Sequence, residues 1–478
     1  MKKLFVLLLV TGLSLQAMAQ LNFKKGKPDD DNYRYLDDYL ALKEYIDRDK
    51  YPNFKLGVGT DVQNFIKTNS RVQWLVSLNF DETVAGNEMK MSSCVDGNGN
   101  MNFTTVKSYV NTATKKGLYV YGHTLAWHSQ QPKSWLLKLL NGCTTKQEMH
   151  DTLVYAMDKW IKGMMNACAG KVKAWDLVNE AISGGGNDGS GNYTLQHSSA
   201  YSPSGNPDAT WDVGGENFYW QDYMGDLDYV RQACRLARQY GPEDIKLFIN
   251  DYNLEGTWDL TTKNGITASN KLWSLINWIK KWEKDGVTKI DGIGTQMHIS
   301  FYKNATAQSN LKNAITGMFK AMVKSGKLVR VSELDMGYKD ANGKDVQVSQ
   351  MTETQHKDMA KFYEWIIKQY LAIVPPAQQW GICQWCATDN NTNGGWRANT
   401  PVGIWDANFY RKHVYAGFVR GLNGGEPTPT AIQAPETNQT TAKPQAVYNL
   451  SGQRLTATSP NDLPAGIYII GGRKVVVR

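Results

Sequence analysis

Eight times between residues 56 and 388 a short apolar run gives way to a longer stretch with helical spacing, and no other feature limits the chain so strongly. The runs are residues 56–62, 74–80, 117–125, 172–180, 245–253, 290–298, 327–335 and 380–388. Their near-continuous apolar content suits parallel strands covered on both faces. The segments between them carry helix signals. Thr145 and Glu148 form a capping box ahead of Leu153, Met157, Trp160, Ile161 and Met164, which share one face, and Thr352 with Gln355 repeats the device ahead of Met359, Phe362 and Ile366. Leu227, Val230, Cys234 and Ala237 make a third stripe, and Gly117 ends the helix ahead of it. Eight strand-then-helix units predict an α/β fold, a (β/α)8 TIM barrel, over residues 33–422.

In such a barrel the functional groups gather at the C-terminal strand ends. The fourth run ends on Asn179 and Glu180, and the seventh leads into Glu333, with Asp335 two residues on and facing the same way. One glutamate at a strand end is more often solvated than catalytic, so the set carries the argument: His123, Trp127, Asn253, Gln296, His298 and Trp385 stand at other strand ends. Several polar groups in one barrel mouth cost stability unless they bond one another, which fits a site better than a core. Paired carboxyls on rigid elements suit glycoside cleavage, one protonating the leaving oxygen and the other attacking the anomeric carbon or activating water. His298, beside Glu333 and Asp335, is placed to orient the nucleophile while Asp335 fixes the imidazole.

His123 and His128 lack further ligands at zinc spacing, so no metal and no cofactor is expected. Among sixteen tryptophans, Trp127, Trp385 and Trp396 hold strand-end or loop positions where an aromatic face can carry a sugar. Residues 183–217 interrupt the pattern with a Gly, Ser, Asn and Asp-rich insertion carrying Tyr193, Tyr201 and Trp211. It reads equally as a cleft-shaping loop or as a tolerated surface insertion.

The first nineteen residues, two lysines, an apolar run and the Ala17-Met18-Ala19 site, read as a secretory signal peptide over 1–19. No other segment approaches the length of a membrane span. Loss of Lys2 and Lys3 takes the formal charge from +8 to +6, and the remaining basic residues are dispersed, unlike a nucleic-acid footprint. Export makes disulfides chemically possible for the six cysteines, but Cys383 and Cys386 at i, i+3 on a strand point to opposite faces, so apolar packing is expected for them. Residues 423–445, rich in Pro, Thr, Gln and Gly, read as a flexible linker, and 446–478 as a small β-rich segment with a Gly472 turn.

The stretches NEMK (87–90), GHTLAWHSQ (122–130), WDLVNEA (175–181), NDYN (250–253), TQMHIS (295–300) and SELD (332–335), with Trp385 and Trp396, resemble family 10 glycoside hydrolases, the retaining endo-1,4-β-xylanases. The resemblance implies Glu180 as acid/base and Glu333 as nucleophile. It further implies that Asn87, Lys90, His123, Trp127, Gln130, Asn179, Gln296, His298, Trp385 and Trp396 hold the sugars nearest the cut. Xylan or xylo-oligosaccharides would be the partner of a monomer. Gly86 departs from the pattern, since the family usually has Glu there; the insertion after Ala181 is also longer than usual. The segment 446–478, through NLSGQR and PAGIYII, resembles sorting domains of the type IX secretion route, which implies a secreted or cell-surface enzyme. Two other readings stand beside this one, a cellulase or other β-1,4-glycanase of the same fold and a surface glycan-binding protein without turnover.

Overall fold

The computed structural model describes residues 22–202, 217–390 and 394–427, together with 447–449, 454–455, 463, 466–470 and 473–477. The expected signal peptide, Trp211, Gly472 and residues 428–445 of the expected linker lie outside the described residues. The chain divides into two compact units, Met1–Pro427 and Thr428–Arg478.

Eight parallel strands close the first unit into a barrel: β1 (Lys55–Thr60), β2 (Glu82–Ala85), β3 (Tyr119–Gly122), β4 (Ala174–Asn179), β5 (Lys246–Asp251), β6 (Gly292–Thr295), β7 (Leu328–Lys339) and β8 (Gln379–Gln384). β8 pairs with both β7 and β1, which completes the ring. A main helix follows each strand, with shorter helical turns in some of the loops: α1 (Arg71–Asn79), α2 (Thr104–Lys115), α3 (Lys146–Cys168), α4 (Asp228–Tyr240), α5 (Asn270–Trp282), α6 (Ala305–Lys324), α7 (Glu353–Ile373) and α8 (His413–Asn423). This is the (β/α)8 barrel that the alternation predicts. Both capping boxes form, at Thr145 with Glu148 and at Thr352 with Gln355.

One expected strand is wrong. Residues 74–79 lie in α1 and Phe80 caps its end, and the second strand is the short run Glu82–Ala85 that follows. A seven-residue apolar run is ambiguous between strand and buried helix. Here Ser70 decides it, its hydroxyl capping the helix by accepting from Gln73 N at 3.0 Å. Leu75, Val76 and Asn79 then share the buried face. Two smaller elements were not anticipated: a hairpin of Leu260–Lys263 with Ile266–Ser269, and a strand His298–Tyr302 beside the outer half of β7.

The chain ahead of β1 is held against the last part of the barrel unit, with Trp405 Nε1 donating to Phe23 O at 2.8 Å and Tyr415 Oη to Leu40 O at 2.6 Å. All six cysteines are free; Cys383 is buried in the core and Cys386 half-buried. Among the described residues no helix is long and apolar enough to cross a membrane. The second unit is a four-stranded antiparallel sheet in the order Arg454–Leu455, Val447–Asn449, Gly466–Ile470, Arg473–Val477.

Inside the barrel Val84, Tyr121, Ala174, Phe248 and Cys383 form a small apolar cluster. Beside it Arg330 of β7 is paired with Glu82 of β2, each side chain about 1% exposed. The guanidinium lies 3.7 Å from the Tyr121 ring centroid, and Trp380 Nε1 donates to Glu82 Oε2 at 2.9 Å. Two charges taken out of water are tolerable only together. Arg330→Met should therefore lower the unfolding free energy by about 3–5 kcal/mol, read from denaturant midpoints, while Glu82→Leu with Arg330→Met should recover most of the loss. A single-variant loss under about 1 kcal/mol would contradict this account of the pair.

Candidate active site

The strands that carry the two glutamates are both irregular just where the carboxyls leave them. The pairing of β4 with β5 shifts register between Asp176 and Val178, and that of β7 with β8 between Val331 and Leu334. Such bulges re-aim side chains. Glu180 then leaves β4 at φ +57°, a left-handed conformation that costs a non-glycine residue roughly 1–2 kcal/mol.

An unbroken chain of amides joins the two carboxyls. Asn250 Nδ2 donates to Glu333 Oε1 and to Asn179 Oδ1, each at 2.9 Å. Gln296 Nε2 lies 3.5 Å from the same Asn179 oxygen and donates to Glu180 Oε1 at 2.9 Å. Asn250 is itself fixed by Ser332 Oγ, which donates to its Oδ1 at 2.6 Å. A Cβ at position 294 would sit 2.5 Å from that same oxygen, so β6 must carry glycine there.

The outer oxygens are treated differently. Trp127 Nε1 donates to Glu180 Oε2 at 3.0 Å. On the other side His298 Nε2 lies 3.3 Å from Glu333 Oε2 and its Nδ1 lies 3.0 Å from Asp335 Oδ2. Asp335 also accepts from Trp396 Nε1 at 2.7 Å and pairs with Arg397. Burial pushes the Glu180 carboxyl above its ordinary range, with Asp251 and Glu333 adding to the rise against the Gln296 and Trp127 hydrogen bonds. Burial acts upward on Glu333 too, but the hydrogen bond from His298, the nearby His123 and His298, and the Asn250 amide hold it down at about 2. Burial opposes charge on His298, yet Asp335 and Glu333 raise the imidazole to about 10. The site thus pairs a carboxyl pushed towards its protonated form with one held towards its ionised form, the division of labour that glycoside cleavage requires.

Both carboxyls open onto a cavity of about 840 Å³. The expected residues from every part of the mouth line it: Asn87, Lys90 and Gln130 on one side, His123, Trp127 and Asn179 in the middle, and Gln296, His298, Trp385 and Trp396 on the other. Lys90 Nζ donates to Gln130 Oε1 at 2.7 Å and to Asn87 Oδ1 at 3.2 Å, which fixes that wall. His123 Nδ1 is 2.8 Å from Asp176 Oδ2, and Tyr121 Oη donates to the other oxygen of Asp176 at 2.7 Å, leaving His123 Nε2 to the cavity. Two expected residues do not line the cavity: Asn253, which lies past the end of β5, and Asp335, which is fully buried behind His298. Gly86 also lines it, and a Cβ there would meet only Thr60 O at 3.7 Å.

Asn250, Asp176 and Arg397 escaped the sequence reading. Asn250 and Asp176 stood inside strand runs as polar residues among apolar ones, a signal that was there to use; nothing in the sequence joins Arg397 to Asp335. The first half of the insertion is built into the fold. Tyr193 N donates to Ser274 Oγ at 2.9 Å, Trp278 Nε1 to Tyr193 O at 2.9 Å, and Gln196 Nε2 to the carbonyl of Glu180 at 2.9 Å. It reaches the Glu180 turn through Gln196, while none of residues 183–202 lines the cavity. Among the described residues no group of three or more His, Cys, Asp or Glu could hold a metal ion.

Comparison with known proteins agrees with this geometry. An endo-β-1,4-xylanase, Xyn10C, of Cellvibrio japonicus is 30% identical over 412 residues, 82% of this chain and 60% of that relative. An endo-1,4-β-xylanase A of Thermotoga neapolitana is 32% identical over 391 residues, 79% of this chain and 30% of that relative. The chain thus spans less than two thirds of the length of these relatives. A solved structure of a xylanase 10C mutant from Cellvibrio japonicus in complex with xylopentaose superposes with a TM-score of 0.61 at 25% identity, covering 82% of this chain and 71% of that one. The model of glycosyl hydrolase family 10 matches residues 46–420, nearly the whole barrel. The chain belongs to glycosyl hydrolase family 10.

Proposed function

We propose that the chain is an endo-1,4-β-xylanase that cleaves internal β-1,4 linkages of xylan with retention of configuration. The observation that carries the reading is the opposite treatment of two carboxyls tied into one amide chain, the pKa of Glu180 pushed up and that of Glu333 held down. Glu180 gives its proton to the glycosidic oxygen while a Glu333 oxygen bonds to the anomeric carbon and the glycosidic bond breaks. Water then attacks the same carbon, Glu180 takes its proton back, and the ester to Glu333 breaks. Asn87, Lys90, His123, Gln130 and Gln296 supply hydrogen bonds to the sugars, Asn179 and His298 align them with the carboxyls, and Trp127, Trp385 and Trp396 supply aromatic faces. Asp335 acts through His298.

Endo action on xylan is supported by the names of the relatives, and xylan as partner by the xylopentaose complex. Reducing-end release from xylan, compared with carboxymethylcellulose, tests the substrate, and first formation of the β-anomer tests retention. The pH dependence follows from the two environments. Glu333 has a lowered pKa, so its contribution is present above the ordinary carboxylate value and fades as pH falls towards about 2. His298 has a raised pKa, so the ion pair it makes is complete below its ordinary value and fades as pH rises towards about 10. Glu180 sets the alkaline limb of kcat/KM, above the ordinary carboxyl value. Glu180→Ala should remove that limb and cost roughly 10²–10⁴-fold on xylan. An unchanged alkaline limb in that variant would exclude Glu180 as the acid.

The barrel and the C-terminal sheet are further proposed to work separately, residues 1–19 as a signal peptide, 33–422 as the catalytic barrel, 423–445 as linker and 446–478 as an export or anchoring segment of a secreted or cell-surface monomer. All the residues at the cavity precede residue 410. Truncation after Leu422 should leave kcat/KM on xylan unchanged; unfolding, or loss of most of the rate, would join the tail to the catalytic fold.

A further inference from the structure

Behind the acid-bearing turn lies a buried ion pair that no step of the reaction uses. Asp251, the last residue of β5, is fully buried, and its Oδ1 lies 2.8 Å from Lys271 Nζ. Lys271 is about 5% exposed at its side chain, its ammonium 3.3 Å from the Tyr252 ring centroid. Stability alone gives no reason for a lysine here. It stands in the first turn of α5, where the helix dipole disfavours positive charge, and burial of both partners costs more than their attraction commonly returns.

Asp251 does something besides neutralising Lys271. Its Oδ2 accepts from the backbone N–H of Ile182 at 3.0 Å, two residues past Glu180. The same turn is held at two further points, by Glu180 N–H donating to Asn250 O at 2.7 Å and by Gln196 Nε2 donating to Glu180 O at 2.9 Å. The three bonds grip a residue whose φ of +57° an unrestrained chain would leave.

Resting on the acid/base reading of Glu180, we propose that Asp251, braced by Lys271 and assisted by Gln196, is the positioning residue that holds the Glu180 turn in its left-handed conformation and so aims the acid/base carboxyl at the leaving oxygen. Released from this grip, the turn relaxes, and the carboxyl leaves Gln296 and Trp127. The groups facing Glu180 are Lys90 and Trp127 from the loops after β2 and β3, Asp251 of β5 and Tyr252 just after it, Gln296 after β6 and Glu333 from β7. Facing the pair are Tyr229 of α4, His128 of the β3 loop and Glu255. Of those facing Glu180, Asp251 and Glu333 favour its protonated form by charge, so removal of the Asp251 charge also moves the alkaline limb towards lower pH.

The test is leaving-group dependence. kcat/KM reports bond cleavage, and an aryl xylobioside with dinitrophenol as leaving group needs no proton from the enzyme, whereas one with phenol does. Asp251→Asn, made in the full chain, should lose about 10- to 100-fold on the phenyl substrate and little on the dinitrophenyl one, with the alkaline limb moved to lower pH. Equal losses on both substrates, or no loss on either, would overturn the proposal. If Asp251→Asn does not fold, Gln196→Leu decides by the same ratio. Glu180→Ala measured on the same pair separates the two ideas: should it fail to show selective loss on the phenyl substrate, the acid/base reading of Glu180 falls, not merely the clamp behind it.

Discussion

Two carboxyl groups withdrawn from water into one barrel mouth cannot both ionise cheaply, and the surrounding structure divides protonation between them. Glu333 receives donors on both oxygens, from Asn250 and from a His298 held charged by Asp335. Glu180 receives two neutral donors and lies near the negative charge of Asp251, so burial wins. The proposed acid and the proposed nucleophile are the same residue type, and only their partners set them apart. Polar burial at the C-terminal end of the barrel follows from that requirement: Asp335 is buried to hold His298, the indole N–H of the half-exposed Trp396 and the Arg397 guanidinium satisfy Asp335, and Asn250 is threaded between the carboxyls above a strand that must be glycine at position 294.

Rigidity at the mouth comes from the same networks. The two bulges and the left-handed turn at Glu180 are unfavourable locally, and each is braced by bonds to a neighbouring strand or loop. The insertion after β4 takes part in this bracing: it is anchored to α5 by Tyr193 and reaches the Glu180 carbonyl through Gln196. At the other end of the barrel the stabilising logic is different. There Arg330 and Glu82 sit among aromatic rings, a charged pair standing where apolar layers commonly fill such barrels.

The barrel was legible because its signal is repetitive. Seven of the eight strands overlap the expected runs, four of them lying wholly inside, and the exception, residues 74–80, failed for a local reason: an apolar run of that length fits a strand or a buried helix, and Ser70 tips it towards helix through a single cap. The site was legible where chemistry sits on strand ends, as with Glu180, Glu333, His123 and His298. It was illegible where function depends on a partner distant in the chain. Asp335 with Arg397, Asp251 with Lys271 and Glu180 with Gln196 are pairings made by folding, and no spacing in the sequence announces them. The irregularity of β4 and β7 was hidden for the same reason, since a bulge is a property of two strands together.

The central claim is that Glu333 forms the covalent bond to the sugar and Glu180 does not. A fluorinated xylobioside that glycosylates the enzyme faster than water releases it, followed by peptide mass spectrometry, reads this directly. The account predicts one xylobiosyl group per chain, ester-linked to Glu333. Label on Glu180 or Asp335, or full turnover of xylan by a protein that never takes up the label, would contradict it.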